Sequence, residues 1–229
     1  MTERAANDSQ SLTDRVTDQL RDAIFAHEFK PGDRLAATAL ANRFSVSATP
    51  LREAFARLAG EGWVSYLPQR GVRVAEISVK EMEEIYELRT MLEPMALRRS
   101  VAAGDDAWRD EVDQAFRRMQ DAGGDNVTEL TGRAYAAYEE VHVEFHKTTL
   151  RCCDSAWLLR IAELLTDQSR RFRQLSQPIR TDYGSVADEH RAIMQACLDG
   201  DEDAAAEAVL IHMNNTRKAI LQWAEESTD

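Results

Sequence analysis

Residues 34–74 read RLAATALANRFSVSATPLREAFARLAGEGWVSYLPQRGVRV, and the fold turns on how this stretch is parsed. Leu35, Leu40, Ala41 and Phe44 mark a short amphipathic helix. Ser45-Val46-Ser47 leaves room only for a tight turn. Ser47 is placed to cap a following helix over about 48–59, and Pro50 is tolerated because it falls in that helix's first turn. Gly60 and Gly62 break the helix. The period then changes. Trp63-Val64-Ser65-Tyr66-Leu67 and Val72-Arg73-Val74 are β-rich runs around Pro68-Gln69-Arg70-Gly71, which predicts a hairpin.

Working outward, Leu12, Val16, Leu20, Ala23 and Ile24 predict an amphipathic helix over about 12–28, ended by Pro31-Gly32. Residues 1–10 read as a disordered tail. Ser78 and Glu81 form a capping box, so 77–78 is a short linker. Beyond it only helical signals occur, at about 79–102, 107–122, 128–150, 155–175, 185–198 and 202–226. The predicted fold is mainly α. A winged helix-turn-helix over 11–76, with three helices and a β-hairpin, precedes an all-α antiparallel helical bundle over 79–229.

The chain has 229 residues, 44% hydrophobic and 30% charged, with a net charge of −12. No run of about 18 apolar residues predicts a membrane span, and the polar N-terminus has no signal-peptide core, so a cytoplasmic location is expected. Cys152, Cys153 and Cys197 fit no disulfide framework and read as reduced packing residues. The charge is unevenly spread. Residues 1–76 carry 10 basic and 10 acidic side chains, while 77–229 carry 18 and 30. Within 34–73, Arg34, Arg43, Arg52, Arg57, Arg70 and Arg73 face only Glu53 and Glu61. A polyanion responds to this local patch, because charges beyond about 8–10 Å are screened at physiological salt.

A helix-turn-helix places the N-terminal end of its second helix in the major groove. The groove-facing candidates are therefore Ser47, Thr49 and Arg52. Arg52 is suited to a bidentate contact with guanine, and the hydroxyls to phosphates or base edges. At the wing tip, Arg70 and Gly71 bring one charge and a close backbone to the minor groove. Arg34 and Arg43 complete the set. The competing reading makes Arg52 a surface ion-pair partner and 34–73 a small structural domain.

Four of the five histidines lie in the bundle. His142 and His146 share one helix face, and His190 and His212 lie on two later helices. Imidazoles from three helices could converge on one ion. On spacing alone, a metal site and solvated or core-satisfied histidines both remain open.

PGDRL (31–35), LANRFSVSATPLREAFARLAGEGWV (40–64) and LPQRGVRVA (67–75) resemble the GntR family of bacterial regulators. IYELRTMLEPMALRRSV (85–101), HVEFHKTTL (142–150) and the run 188–213 resemble its FadR-type subgroup with a C-terminal FCD effector domain. The resemblance implies a homodimeric repressor that reads a palindromic double-stranded DNA operator and answers to a small organic acid. It also implies a divalent metal on His142, His146, His190 and His212. His142 stands where the family usually has aspartate. A four-imidazole set favours zinc, with nickel, manganese or iron as alternatives. Arg89 matches a position that points into the same cavity, where it could pair with an effector carboxylate or, instead, with Glu93. Tyr86, Arg133 and Tyr135 are further pocket candidates. Two customary DNA contacts are missing: Ala48 replaces an arginine, and Ala36-Ala37-Thr38 replaces a more polar run. A metalloenzyme, with Glu139, Glu140, Glu144 or Glu189 as base, is the alternative class. It lacks an HExxH helix, and four protein ligands close a tetrahedral site. A purely structural metal is the third reading.

Overall fold

The computed structural model describes residues 11–26, 28–67, 70–176 and 185–226, without the side chains at 125, 133 and 174–176. The chain divides between Ile77 and Ser78 into two compact units. The expected disordered tail, the Pro68-Gln69 pair and the break at 178–184 lie outside the described residues.

In the first unit, α1 (Leu12–Phe25) opens on a reciprocal capping box. The Ser11 hydroxyl accepts from the Asp14 amide and the Asp14 carboxylate accepts from the Ser11 amide. The helix stops at Ala26, short of the expected 28. Helices α2 (Ala37–Phe44) and α3 (Ala48–Gly60) are joined by a turn in which Ser45 is left-handed, φ 54°. Val16, Leu20, Leu51, Phe55 and Leu58 are buried where α1 packs on α3. Each such side chain is worth about 1.5–3 kcal/mol on burial.

The wing carries one strand more than the sequence predicts. Strands β1 (Arg34–Leu35), β2 (Val64–Leu67) and β3 (Gly71–Val74) form an antiparallel sheet in the order β1-β3-β2. Leu35 pairs with Val72 and so belongs to the sheet, not to the helix that follows. A two-residue strand has no period to read. Gly71 closes the β2–β3 hairpin at φ +80°, a conformation that disfavours any residue with a Cβ.

In the second unit, α4 (Val79–Ala103) is capped by the Ser78 hydroxyl and packs mainly against α9 (Glu202–Glu226) and α7 (Ala156–Ser176). Helix α8 (Val186–Asp199) packs on α9 and α5 (Asp106–Asp121), and α5 packs on α6 (Gly132–Leu150). The expected helix over 128–150 is shorter. Residues 124–129 form a 3-10 turn, and Gly132 at φ +53° forbids a continuous right-handed helix through it. The bundle core includes Met82, Leu97, Met119, Phe145, Phe172, Ile193 and Met213. The Trp108 indole N–H donates to the Thr148 carbonyl at 2.9 Å and ties α5 to α6.

Helix α4 is apolar on two sides. Met82, Ile85, Ala96 and Leu97 point into the bundle, while Leu88, Met91 and Met95 are exposed on the outside. Trp157, Ile161 and Leu164 are similarly exposed on the adjoining α7. All three cysteines are free, with Cys153 and Cys197 buried.

Candidate functional site

His142 and His146 face the same way from α6, one turn apart. They meet His190 of α8 and His212 of α9 in the interior of the bundle. The Nε2 atoms of His142, His146 and His190 lie 3.1, 3.2 and 3.3 Å from one another. One ring nitrogen from each of the four histidines falls within a 4.8 Å cluster. Nitrogens bound at about 2.0–2.1 Å to a common ion stand roughly 2.9–3.4 Å apart, so the spacings of His142, His146 and His190 fit a shared cation, with His212 close by. It does not fit a hydrogen-bonded core network, because three mutually adjacent nitrogens cannot all find a proton between them. Burial pushes the His142 and His146 imidazoles below their usual range. For His146 the three neighbouring rings push further, so its neutral, ligating form is favoured. These residues could hold a divalent metal.

Two carboxylates stand behind the rings. The His212 Nδ1 and Glu189 Oε2 are 2.8 Å apart, and Glu189 is itself held by the Asn215 amide at 2.7 Å. Glu139 Oε2 lies 3.5 Å from His142 Nδ1.

A narrow cavity opens beside the histidines. Its enclosed space is about 40 Å³, and Tyr135, Tyr138, Glu139, His142, Arg173 and His212 are among its lining residues. Arg173 donates its Nε to Glu139 Oε1 at 2.9 Å, with Nη2 on the same oxygen. Burial would raise the Glu139 carboxyl, but the Arg173 charge and His142 outweigh it and hold the group far below its usual range. Burial likewise pushes the Tyr135 phenol well up, aided by Glu139, so it stays a hydrogen-bond donor.

Arg89 sits elsewhere. It is buried and not among the lining residues; its guanidinium forks onto Glu93, with Nε to Oε1 at 2.5 Å and Nη2 to Oε2 at 3.3 Å. The Glu93 alternative is the one adopted, because a buried guanidinium needs a carboxylate partner and one lies a helical turn away. Tyr86 packs its ring under Arg89 and does not line the cavity either. The Arg133 side chain lies outside the described residues. Arg173 takes the place expected of Arg89. Its signal was present in the sequence: a charged residue on the same α7 stripe as Ala162, Leu165, Ser169 and Phe172, which are buried.

On the winged unit, the hydroxyl of Ser47 makes no capping bond although Ser47 occupies the N-cap of α3. It is exposed, as are Thr49, Arg52 and Arg70. Among the described residues Arg52 forms no ion pair; its Nε reaches only the Ala48 carbonyl at 3.3 Å. Arg34 is exposed on β1. Arg43 differs, since it pairs with Glu28 and lies against Phe29 and Phe44. Arg57 pairs with Asp14, and Arg73 donates to the Gly32 carbonyl.

Residues 12–74 match the gntR family of bacterial regulatory proteins, and 84–215 match the FCD domain. The chain belongs to the GntR family. As a GntR-family regulator it is similar to the HTH-type transcriptional regulator BphR of Paraburkholderia xenovorans (strain LB400), 28% identical over 93% of this chain and 87% of that one. It is also similar to the HTH-type transcriptional repressor GlaR of Escherichia coli K12, 28% identical over 85% of this chain and 89% of that one. A transcriptional regulator GntR from Rhodococcus sp. RHA1 shares the fold, with TM-score 0.74 at 22% identity over 93% of this chain and 99% of that one. All three are named as regulators of transcription. Among the described residues no helix is long and apolar enough to cross a membrane.

Proposed function

We propose that this GntR-family regulator is a metabolite-responsive repressor with a divalent metal, zinc before nickel, manganese or iron, at His142, His146, His190 and His212. The observation that carries the reading is the convergence of four buried imidazoles, two of which, His142 and His212, line the neighbouring cavity. When bound, the ion supplies a Lewis-acidic anchor for an anionic group. Arg173 and Tyr135 present a guanidinium and a phenolic O–H to the same space, which suits the carboxylate of a small organic acid. Tyr138 and Thr216 are also part of the walls.

Ser47, Thr49, Arg52, Arg70 and Gly71 are the proposed DNA-reading surface, with Arg34 beside them. Arg43 adds charge, its side chain being held by Glu28. Exposure and freedom from ion pairs at Arg52 support the choice. The working unit is a homodimer on a palindrome. Its support is the exposed apolar face on α4 and α7, where Met91 is 62% and Trp157 70% accessible. Helix sides this apolar are normally covered. Repression itself is carried over from GlaR, which is named a repressor.

The test is an anisotropy titration of the metal-loaded protein on DNA from its own upstream region, with a panel of small organic acids. We expect salt-sensitive binding that one acid weakens about 5–150-fold, the usual span of allosteric coupling. Salt-sensitive binding to that DNA that no acid alters would argue for a purely structural metal. Absence of binding would remove the regulator's proposed target.

A further inference from the structure

We propose that Glu139 and Glu189 are positioning residues of the four-histidine centre, each accepting the Nδ1–H of one imidazole so that its Nε2 is presented to the ion. The inference rests on the metal reading above and deepens it.

Nε2 of His142 is within 3.2 Å of two other imidazole nitrogens, so it is the atom turned to the centre. An imidazole that gives its Nε2 lone pair to a cation must carry its proton on Nδ1. That N–H is then a buried donor needing an acceptor. Among the described residues His142 Nδ1 has no hydrogen-bond partner, and neither does Glu139 Oε2, 3.5 Å away. Both residues are more than nine-tenths buried. Two unsatisfied buried atoms of complementary type, a few tenths of an ångström beyond bonding distance, are each other's natural partners. His212 shows the finished version of the same contact, with Glu189 at 2.8 Å from Nδ1.

Charge gives a second reason. Four neutral imidazoles leave a divalent ion uncompensated in a buried site, and no carboxylate belongs to the ligand cluster. Glu139 and Glu189 bring two negative charges to the far sides of the rings, from α6 and α8. Glu139 is also the carboxylate that Arg173 holds at the cavity wall. One carboxylate thus holds the Arg173 guanidinium with one oxygen and faces the His142 ring with the other. An anion that drew Arg173 away would leave Glu139 free to close on His142.

The test is metal affinity of the full-length protein, measured by competition for Zn²⁺ with a chromophoric chelator. Glu139→Gln and Glu189→Gln keep side-chain volume and remove the charge. Each is expected to weaken Zn²⁺ binding about 10–100-fold, with partial recovery in Glu189→Asp, while exposed Glu144→Gln on the same α6 leaves it unchanged. Should Glu139→Gln fail to fold because Arg173 loses its partner, the double variant Glu139→Gln/Arg173→Gln keeps the network neutral and is expected to show the same loss. Histidine nitrogen shifts in the Zn²⁺-loaded protein should place protons on Nδ1 of His142 and His212. Zn²⁺ affinity lost in His146→Ala but unchanged in the folded glutamate variants would overturn this proposal and leave the metal site standing. No Zn²⁺ binding by the wild type would overturn both.

Discussion

At the scale of single residues, the arginines of the winged unit sort themselves by what they touch. Arg57 and Arg73 are tied to Asp14 and to the Gly32 carbonyl, and Arg43 to Glu28. Arg52 and Arg70 stay exposed, and on the proposed reading they supply the recognition that Ala48 and Ala36-Ala37-Thr38 do not. Arg52→Ala should cost about 1–3 kcal/mol of operator binding and relax specificity at one base pair. Arg70→Ala should weaken binding to all sequences alike and lower the salt slope by about 1. Anisotropy titrations at several salt concentrations separate the two, and a double alanine variant that binds normally would refute this surface. Cysteine chemistry gives an independent check. Burial pushes the Cys197 thiol up to about 12. Only the thiolate is a nucleophile, so native Cys197 should resist iodoacetamide from pH 7 to 9, whereas half-buried Cys152 is modified first. The sign for stability follows: the unfolded thiol ionises near its ordinary value and the folded one does not, so this contribution is lost above about pH 9. Peptide mass spectrometry after timed alkylation reads the difference.

At the scale of elements, close approaches decide what can change. A Cβ on Gly104 would lie 2.1 Å from the Trp108 ring, so α4 and α5 are joined by a glycine that an indole covers. Gly104→Ala should destabilise the bundle by about 1–3 kcal/mol, measured by urea unfolding, because the ring must leave its place. The Arg89–Glu93 and Arg173–Glu139 pairs meet at the Ser169 hydroxyl, which both guanidiniums contact. Glu93→Ala should cost about 3–5 kcal/mol by leaving Arg89 charged and buried. The elements themselves were largely legible in the sequence. Helix starts at Ser11 and Ser78 follow from capping chemistry, and the hairpin from the change of period. The misses have local causes. Strand β1 is two residues long, and α6 begins late because of a left-handed Gly132. The four histidines were legible as types and spacing. Arg173 is legible only as a charged residue on a buried stripe; its pairing with Glu139 spans 34 residues, a contact that no periodicity records.

At the scale of the whole molecule, the net charge of −12 and the winged unit's local positive charge belong to different parts of the chain, so the acidic total does not oppose a DNA-reading role. The apolar face of α4 and α7 belongs to this scale as well. Met91→Glu with Trp157→Glu should shift the protein to monomers in sedimentation equilibrium and weaken operator binding, since one protomer reads only one half-site. A dimer unchanged by both charges would place the interface elsewhere. Metal content tests the four-imidazole centre most directly. After dialysis against dilute Zn²⁺ and then metal-free buffer, elemental analysis should find one zinc per chain in the wild type and none in folded His146→Ala. A folded wild type that retains no metal, or a His146→Ala variant that retains a full equivalent, would contradict the account.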